Sequence, residues 1–253
     1  MNALSVIIPS RSADNLIPCV KAIREARETC RIIVVDDGIA SGPCEVALYS
    51  NRLACASPLP NQVHTVNGVK PFVFSRNVNI GIQAAGTDDI IILNDDALLK
   101  TPGGFTAMQA NAGDYGIVGA VTNNVGNVNQ FQSSRRGDYP PRKEPRMLCF
   151  VCVFIPRSTI DWLGLLDEDF VDYGCEDDDY CFRAREAGLT LGVYDGCFVD
   201  HGSLRSSFRG PAGAGGDFQP NLRRFIAKHG VDNWNKGRDQ SKFRHLFPPE
   251  TCA

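Results

Sequence analysis

The chain has 253 residues, 43% hydrophobic and 22% charged, with 26 Lys and Arg against 29 Asp and Glu for a formal charge of -3. This is the composition of an ordinary globular protein, long enough to bury one large core without requiring a second domain. The weakly acidic balance argues against general electrostatic binding of nucleic acid, which needs a basic excess to displace counterions.

The opening residues Met1 to Pro9 carry no basic leader, and no apolar run approaches the ~18 residues of a membrane span. Neither a signal peptide nor a span is expected. The ten cysteines would suit a disulfide scaffold only in a small secreted chain, so they read as reduced thiols of a cytoplasmic protein. Cys149 and Cys152 have the spacing of a redox or zinc pair, but they lie in an apolar run with no second Cys pair and no nearby His. They are expected in the core.

Leu4 to Ile8, ended by Pro9, and Ile32 to Val35, ended by Asp36-Asp37-Gly38, read as buried strands of a parallel sheet. Between them, residues 14–29 place Leu16, Ile17, Val20, Ile23 and Ala26 at helical spacing, with Asp14 as the cap. A helix-like segment from Ser75 to Ala85 leads into a third strand, Asp89 to Leu93, which ends in Asn94-Asp95-Asp96. In open α/β sheets the ligand crevice lies at the carboxyl ends of the strands, so these polar tips should converge there. Residues 121–145 are rich in Asn, Gly, Arg and Pro and read as a loop or irregular hairpin. Met147 to Ile155 returns to strand character, and residues 177–188 read as a helix with an acidic first turn and Gly188 as its stop. From Gly202 onward a Gly-rich stretch, 210–216, reads as a mobile loop, and the tail carries nine basic residues against four acidic ones.

Asn94-Asp95-Asp96 offers hard oxygen ligands at the mouth of a dry core, suited to Mg²⁺ or Mn²⁺ bridging two phosphates; acidic residues also close strands as ordinary turns. Asp36-Asp37-Gly38 is open in the same way, as a carboxylate accepting from a base N–H or ribose hydroxyl, or as a turn in which Gly38 supplies a positive φ. The two acidic tips also fit a phosphoacceptor receiver domain, but no Lys occurs from Val121 to Arg142 and much of the chain would have no role. Glu176-Asp177-Asp178-Asp179 sets four carboxylates side by side, which need a helix N-terminus, a metal or a substrate to hold them. A carboxylate held near others keeps its proton more readily, as a general base requires. His201, after the short strand Cys197 to Asp200, is by itself more often a hydrogen-bonded residue than a ligand.

Taken in order, these segments resemble the family 2 glycosyltransferases of the GT-A fold, and especially their rhamnosyltransferase-like branch. The resemblance runs from Ser5 to about Lys228. It is carried by Ser5 to Arg11, Val34 to Gly38 (with Ile39 where Ser is usual), Arg76 to Gly81, and Leu93 to Asp96 in the form N-x-D. Tyr173 to Gly188, with Cys175 where Gly usually adjoins Glu, and Val199 to Gly202 complete it. It implies an α/β GT-A fold, Rossmann-like, with a mixed, mostly parallel central sheet and helices on both faces. Residues 1–201 would be the catalytic domain, with the nucleotide-sugar half at about 1–100 and the acceptor half at about 101–201. Residues 202–253 would pack on it as a Gly-rich loop and basic C-terminal segment.

The resemblance makes the protein a metal-dependent inverting glycosyltransferase that uses Mn²⁺ or Mg²⁺ and a nucleoside-diphosphate sugar. It assigns the metal to Asp96 and His201 and the catalytic base to Asp177. Pro9, Arg11, Asp37, Arg76, Asn79, Asp95 and Arg205 would contact the nucleotide sugar, with Arg205 and Arg209 closing over the diphosphate. The acceptor would be a glycan, a lipid-linked glycan or another hydroxyl compound, nucleic acid entering only as a modified acceptor. Such a protein would be cytoplasmic or peripheral at the membrane surface. The competing reading is a non-catalytic glycosyltransferase-like scaffold that binds nucleotide or glycan. A nucleotidyltransferase or dinucleotide oxidoreductase is disfavoured, because Ser10-Arg11-Ser12-Ala13 after the first strand contains no Gly.

Overall fold

A computed structural model describes residues 1–39, 63–132, 139–144, 146–171, 173–206, 217–232 and 234. In chain order its elements are β1 (Leu4–Ser10), α1 (Ala13–Glu25), β2 (Arg31–Asp36), β3 (Val63–Asn67), α2 (Phe74–Ala85), β4 (Asp89–Leu93), β5 (Leu98–Leu99), α3 (Gly104–Asn111) and β6 (Tyr115–Thr122). A 3₁₀ turn (Val128–Gln130), β7 (Arg142–Glu144), β8 (Cys152–Ile155), α4 (Arg157–Leu163), α5 (Glu176–Glu186), β9 (Thr190–Asp200) and α6 (Gln219–His229) follow.

The strands form one mixed sheet in the order β3-β2-β1-β4-β8-β6-β9-β5, with β7 added on β9. Its first four strands are parallel, as the solid apolar runs of β1, β2 and β4 predict for strands buried on both faces. β8 lies antiparallel between β4 and β6, and β6 runs parallel to β9. Side chains alternate across the sheet. Val6 and Ile8 therefore join the core under α1 and α3, with Leu16, Ile23 and Phe105. Ile7 joins the opposite core with Val78 and Ile82 of α2 and Tyr180 of α5. α2 approaches β1 so closely that a methyl group at Gly81 would collide with the Ile7 side chain. Gly81→Ala is expected to cost about 1–3 kcal/mol by overpacking, read as a lower urea midpoint.

Several boundaries differ from the sequence expectation. α1 is capped by Ser12, whose Oγ accepts from the Asn15 amide at 3.4 Å, and Asp14 sits inside the first turn instead. The helix ends at Glu25, short of Thr29, as Arg27 takes a φ of 58°. The run from Met147 is a strand only from Cys152. Gln130 takes both backbone groups of Cys149, accepting from its N–H at 2.7 Å and donating to its C=O at 3.1 Å, which draws this stretch out of the ladder. The expected loop at 121–145 contains the last rung of β6 and all of β7, clamped by the Arg142–Asp195 pair at 2.6 Å. α5 begins one residue early, at Glu176. Cys152 packs in the core as expected, and no disulfide joins any of the seven described cysteines. No helix among the described residues is long and apolar enough to cross a membrane. The 210–216 stretch, Arg209 and the basic residues beyond Trp234 lie outside the described residues.

Candidate active site

The β4 tip divides its two carboxylates. Asp95 is fully buried; its Oδ2 accepts from Ser10 Oγ at 2.7 Å, and Asn15 Nδ2 lies 3.5 Å from its Oδ1. The same Asn15 amide donates to the Arg205 carbonyl at 2.9 Å, so Asp95 sits at a junction of β1, α1 and the segment after β9. The Arg205 side chain is exposed. Asp96, 4% exposed, faces His201.

His201 follows β9, and its neighbour β6 ends in Asn123-Asn124. Asn123 Oδ1 accepts from the His201 amide at 2.9 Å, and its Nδ2 donates to Asp200 Oδ1 at 2.9 Å. His201 Nδ1 lies 2.7 Å from the Asn124 carbonyl, which can only accept, so this nitrogen carries a hydrogen. His201 Nε2 is then 3.1 Å from Asp96 Oδ1, and two acceptors at that distance call for a proton or a cation between them. The spacing matches adjacent ligands at ~2.1 Å on a small octahedral cation, about 3 Å apart. The pair thus fits a divalent metal, and the carbonyl behind the imidazole is the usual second support of a metal-bound histidine. No set of three or more His, Cys, Asp or Glu side chains suited to a metal occurs among the described residues. The remaining ligands would be water and substrate oxygens, as such cations ordinarily keep. The sequence shows Asn123 only as part of the Asn-rich loop or irregular hairpin at 121–145; two amides directly after a buried strand were the signal that this tip joins the others.

Gly174 and Cys175, at φ of 79° and 70°, turn the chain into α5, whose first turn holds all four carboxylates. Their fates separate. Asp177 Oδ1 accepts from the Asp178 amide at 2.9 Å, and the carboxylate also accepts from the Phe150 amide. Burial, and next the neighbouring Asp178 charge, hold its pKa up at about 7. The Asn94 amide donates to the carbonyl of Val151, next to Phe150, at 3.0 Å. One short backbone stretch thereby joins the β4 tip to Asp177. Asp178 faces Arg146 at 3.8 Å. Asp179 is fully buried and receives Arg183 at 2.9 Å, Lys228 at 2.8 Å and His229 at 2.7 Å, which locks α6 onto α5. Burial pushes the Glu176 carboxyl well above the usual range, and its Oε2 has no hydrogen-bond partner.

At the β2 tip the turn reading holds for Asp36, and Asp37 is set apart from it. Asp36 Oδ1 accepts from the amides of Gly38 and Ile39 at 2.7 Å and builds the turn, in which Gly38 has a φ of 104°. Asp37 is buried, with Oδ1 unpartnered; desolvation raises its pKa against the pull of Lys70 and Arg11. Pro9 is buried in β1 in register with Val35. Arg76 pairs with Glu168 at 3.4 Å. Asn79 donates to the Leu166 carbonyl and Glu168 Oε1, both at 2.9 Å, and accepts from the Leu166 amide at 3.0 Å. Both α2 residues thus clasp the segment before α5.

A parallel half-sheet with acidic tips, and a mixed half that returns a histidine and a carboxylate-bearing helix to the same edge, define an α/β fold of the GT-A class. The family model for glycosyl transferase family 2 matches residues 5–160, and the chain belongs to that family. Asp177 and His201 lie beyond the matched span. In fold the chain is similar to GalNAc-T7, solved with UDP, GalNAc and Mn²⁺, at 13% identity and a TM-score of 0.66, over 98% of this chain and 52% of that one. It is also similar to the mannosyltransferase PcManGT from Pyrobaculum calidifontis in complex with GDP-Man and Mn²⁺, at 15% identity and a TM-score of 0.62, over 94% of this chain and 65% of that one. The chain therefore spans about half of the first and just under two thirds of the second. No curated protein matches it.

Proposed function

We propose that the protein is a metal-dependent, inverting glycosyltransferase of the rhamnosyltransferase-like branch. It moves a hexosyl or deoxyhexosyl group from a nucleoside-diphosphate sugar to the hydroxyl of a glycan, lipid-linked or related acceptor. The observation that carries this reading is the His201–Asp96 pair, with Nδ1 committed to the Asn124 carbonyl and Nε2 turned to the carboxylate at 3.1 Å. The Mn²⁺ present in the GalNAc-T7 and PcManGT structures supports it.

Asp96 and His201 would hold Mn²⁺ or Mg²⁺, which would supply positive charge for a departing diphosphate. Asp177, a stronger base than an exposed carboxylate, takes the proton of the acceptor hydroxyl as that oxygen attacks the anomeric carbon. The bond to the phosphate oxygen breaks on the opposite face, so the configuration inverts and no covalent enzyme intermediate forms. The catalytic domain in this reading is residues 1–201, with 202–253 packed against it.

Thermal stability should rise with one of UDP, dTDP, GDP or CMP in the presence of Mn²⁺, by about 2.7 kcal/mol at a ligand concentration of about 100 Kd. Chelation, Asp96→Ala and His201→Ala should each remove the rise. Absence of any nucleotide effect in the wild type, with or without metal, would overturn the reading.

A further inference from the structure

α5 begins without a side-chain cap of its own. Cys175 stands at the N-cap position and follows Gly174 with both residues at left-handed φ, 70° and 79°. Glycine takes that conformation freely, whereas a residue with a Cβ keeps it only where its surroundings hold it there. The support comes from α6, 47 residues along the chain, where Asn221 Nδ2 donates to the Gly174 carbonyl at 2.7 Å. Asn221 Oδ1 accepts from Arg224 Nη1 at 2.9 Å, three residues later in the same helix. A carbonyl only accepts and a guanidinium only donates, so these contacts fix which way the amide points.

Asn221 is fully buried, and its neighbours close over the same turn. A Cβ at Gly174 would come within 2.8 Å of the Phe218 ring, and Cys175 packs with Phe170, Phe225 and Trp234 in a small core of its own. Position 221 lies on the helix face of Phe225, where an apolar side chain would suit the cluster and an amide is costly to bury. What the amide adds is a fixed place for one carbonyl. The consequence falls on Asp177, three residues on. Its carboxylate meets the Phe150 amide, which belongs to a different part of the chain, so that contact lasts only while the turn starts α5 in the right place.

Resting on the glycosyltransferase reading, we infer that Asn221 is a positioning residue, which through the Gly174 carbonyl sets the turn that aims Asp177 at the acceptor. The test is a cycle of melting curves against pH on the wild type, Asp177→Asn, Asn221→Ala and the double variant. Asn221→Leu keeps a branched side chain in the cluster and takes the place of Asn221→Ala if that folds poorly. The groups that face Asp177 are Glu176 and Asp178 on its own turn, Arg146 across from Asp178, and the thiols of Cys149 and Cys181, all left unaltered. With the turn held, Asp177→Asn should raise the melting temperature at alkaline pH, because it removes a carboxylate that ionises while buried. With the turn released the carboxylate reaches water, and that rise should shrink by about half or more. A residue that only stabilised α6 would leave the rise the same size. In parallel, Mn²⁺-dependent hydrolysis of the best of UDP-glucose, dTDP-rhamnose and GDP-mannose, with water standing in for the acceptor, should lose about tenfold in kcat at unchanged donor KM. An alkaline rise of equal size in both backgrounds, or wild-type kcat in the Asn221 variants, would overturn the inference. Absence of any Mn²⁺-dependent nucleotide binding by the wild type would instead bring down the glycosyltransferase reading, which the melting cycle does not depend on.

Discussion

Asp177→Asn is expected to slow sugar transfer by about 10²–10⁴-fold while leaving Mn²⁺-dependent nucleotide binding intact, because the amide keeps the shape of the carboxyl and loses only its capacity to take a proton. The wild-type rate should climb as the pH rises through about 7 and then level off, since the proposed base, Asp177, would work in its ionised form and burial delays that ionisation. The same group leaves a mark on stability. Its carboxyl is raised in the folded chain, so its contribution is complete below the ordinary carboxylate range and is lost as the pH climbs from there through about 7. The Asn variant cannot ionise and escapes that loss. It should melt above the wild type at alkaline pH and converge with it in acid. Transfer at the wild-type rate by Asp177→Asn would remove this residue from the chemistry. A wild type that binds nucleotide and transfers to no acceptor would favour the scaffold reading.

The second large effect belongs to the neighbour two residues along. Asp179→Ala should cost about 3–5 kcal/mol, because it strips the buried carboxylate from Arg183, Lys228 and His229 and leaves cationic groups at a dry interface. For a chain of this length that corresponds to a fall in melting temperature on the order of 10 °C. Part of the cluster survives the change, as Lys228 also reaches Asp167 at 2.5 Å. Desolvation pulls the Lys228 pKa down, but hydrogen bonds to Asp167 and Asp179 outweigh it and leave the group raised. A raised lysine contributes fully below its ordinary range and loses that contribution only as the pH passes above it. The wild-type lock should therefore weaken in alkali, screened in part because Lys228 is 37% exposed. Equilibrium unfolding in urea measures the cost. A loss below about 1 kcal/mol would show that the cluster behaves as an ordinary surface ion pair.

These two residues show where the sequence is legible and where it stops. The parallel strands and their polar tips are readable because each signal is local: a solid apolar run, then acidic residues at a strand end. The roles within Glu176-Asp177-Asp178-Asp179 are not readable in that way. The four carboxylates are alike in the chain, and what separates Asp179 from Asp177 is a histidine 50 residues away and a segment that wraps back from Phe150. The Met147 to Ile155 run misleads for a similar reason: its hydrophobicity is satisfied in the core, but the Gln130 side chain decides where its backbone bonds go. Asn79 carries the same lesson, since the family resemblance sets it among the nucleotide-sugar contacts and its amide is engaged by Leu166 and Glu168. The family resemblance supplies the order of the motifs, and tertiary contacts divide the labour within each.

The rung between Asn94 and Val151, with Phe150 beside it, also bears on timing. The strand pair that leads to Asp96 is continuous with the amide that binds Asp177, so the two halves of the proposed reaction hang from one segment of sheet. Separating them would mean unzipping β4 from β8 in the middle of the molecule, a global event and not a loop movement. In the proposed mechanism, Asp96 and Asp177 are thus assembled when the chain folds. Turnover should be limited by how fast donor and acceptor enter and products leave, and the amide protons of Asn94 and Phe150 should be among the last to exchange with solvent.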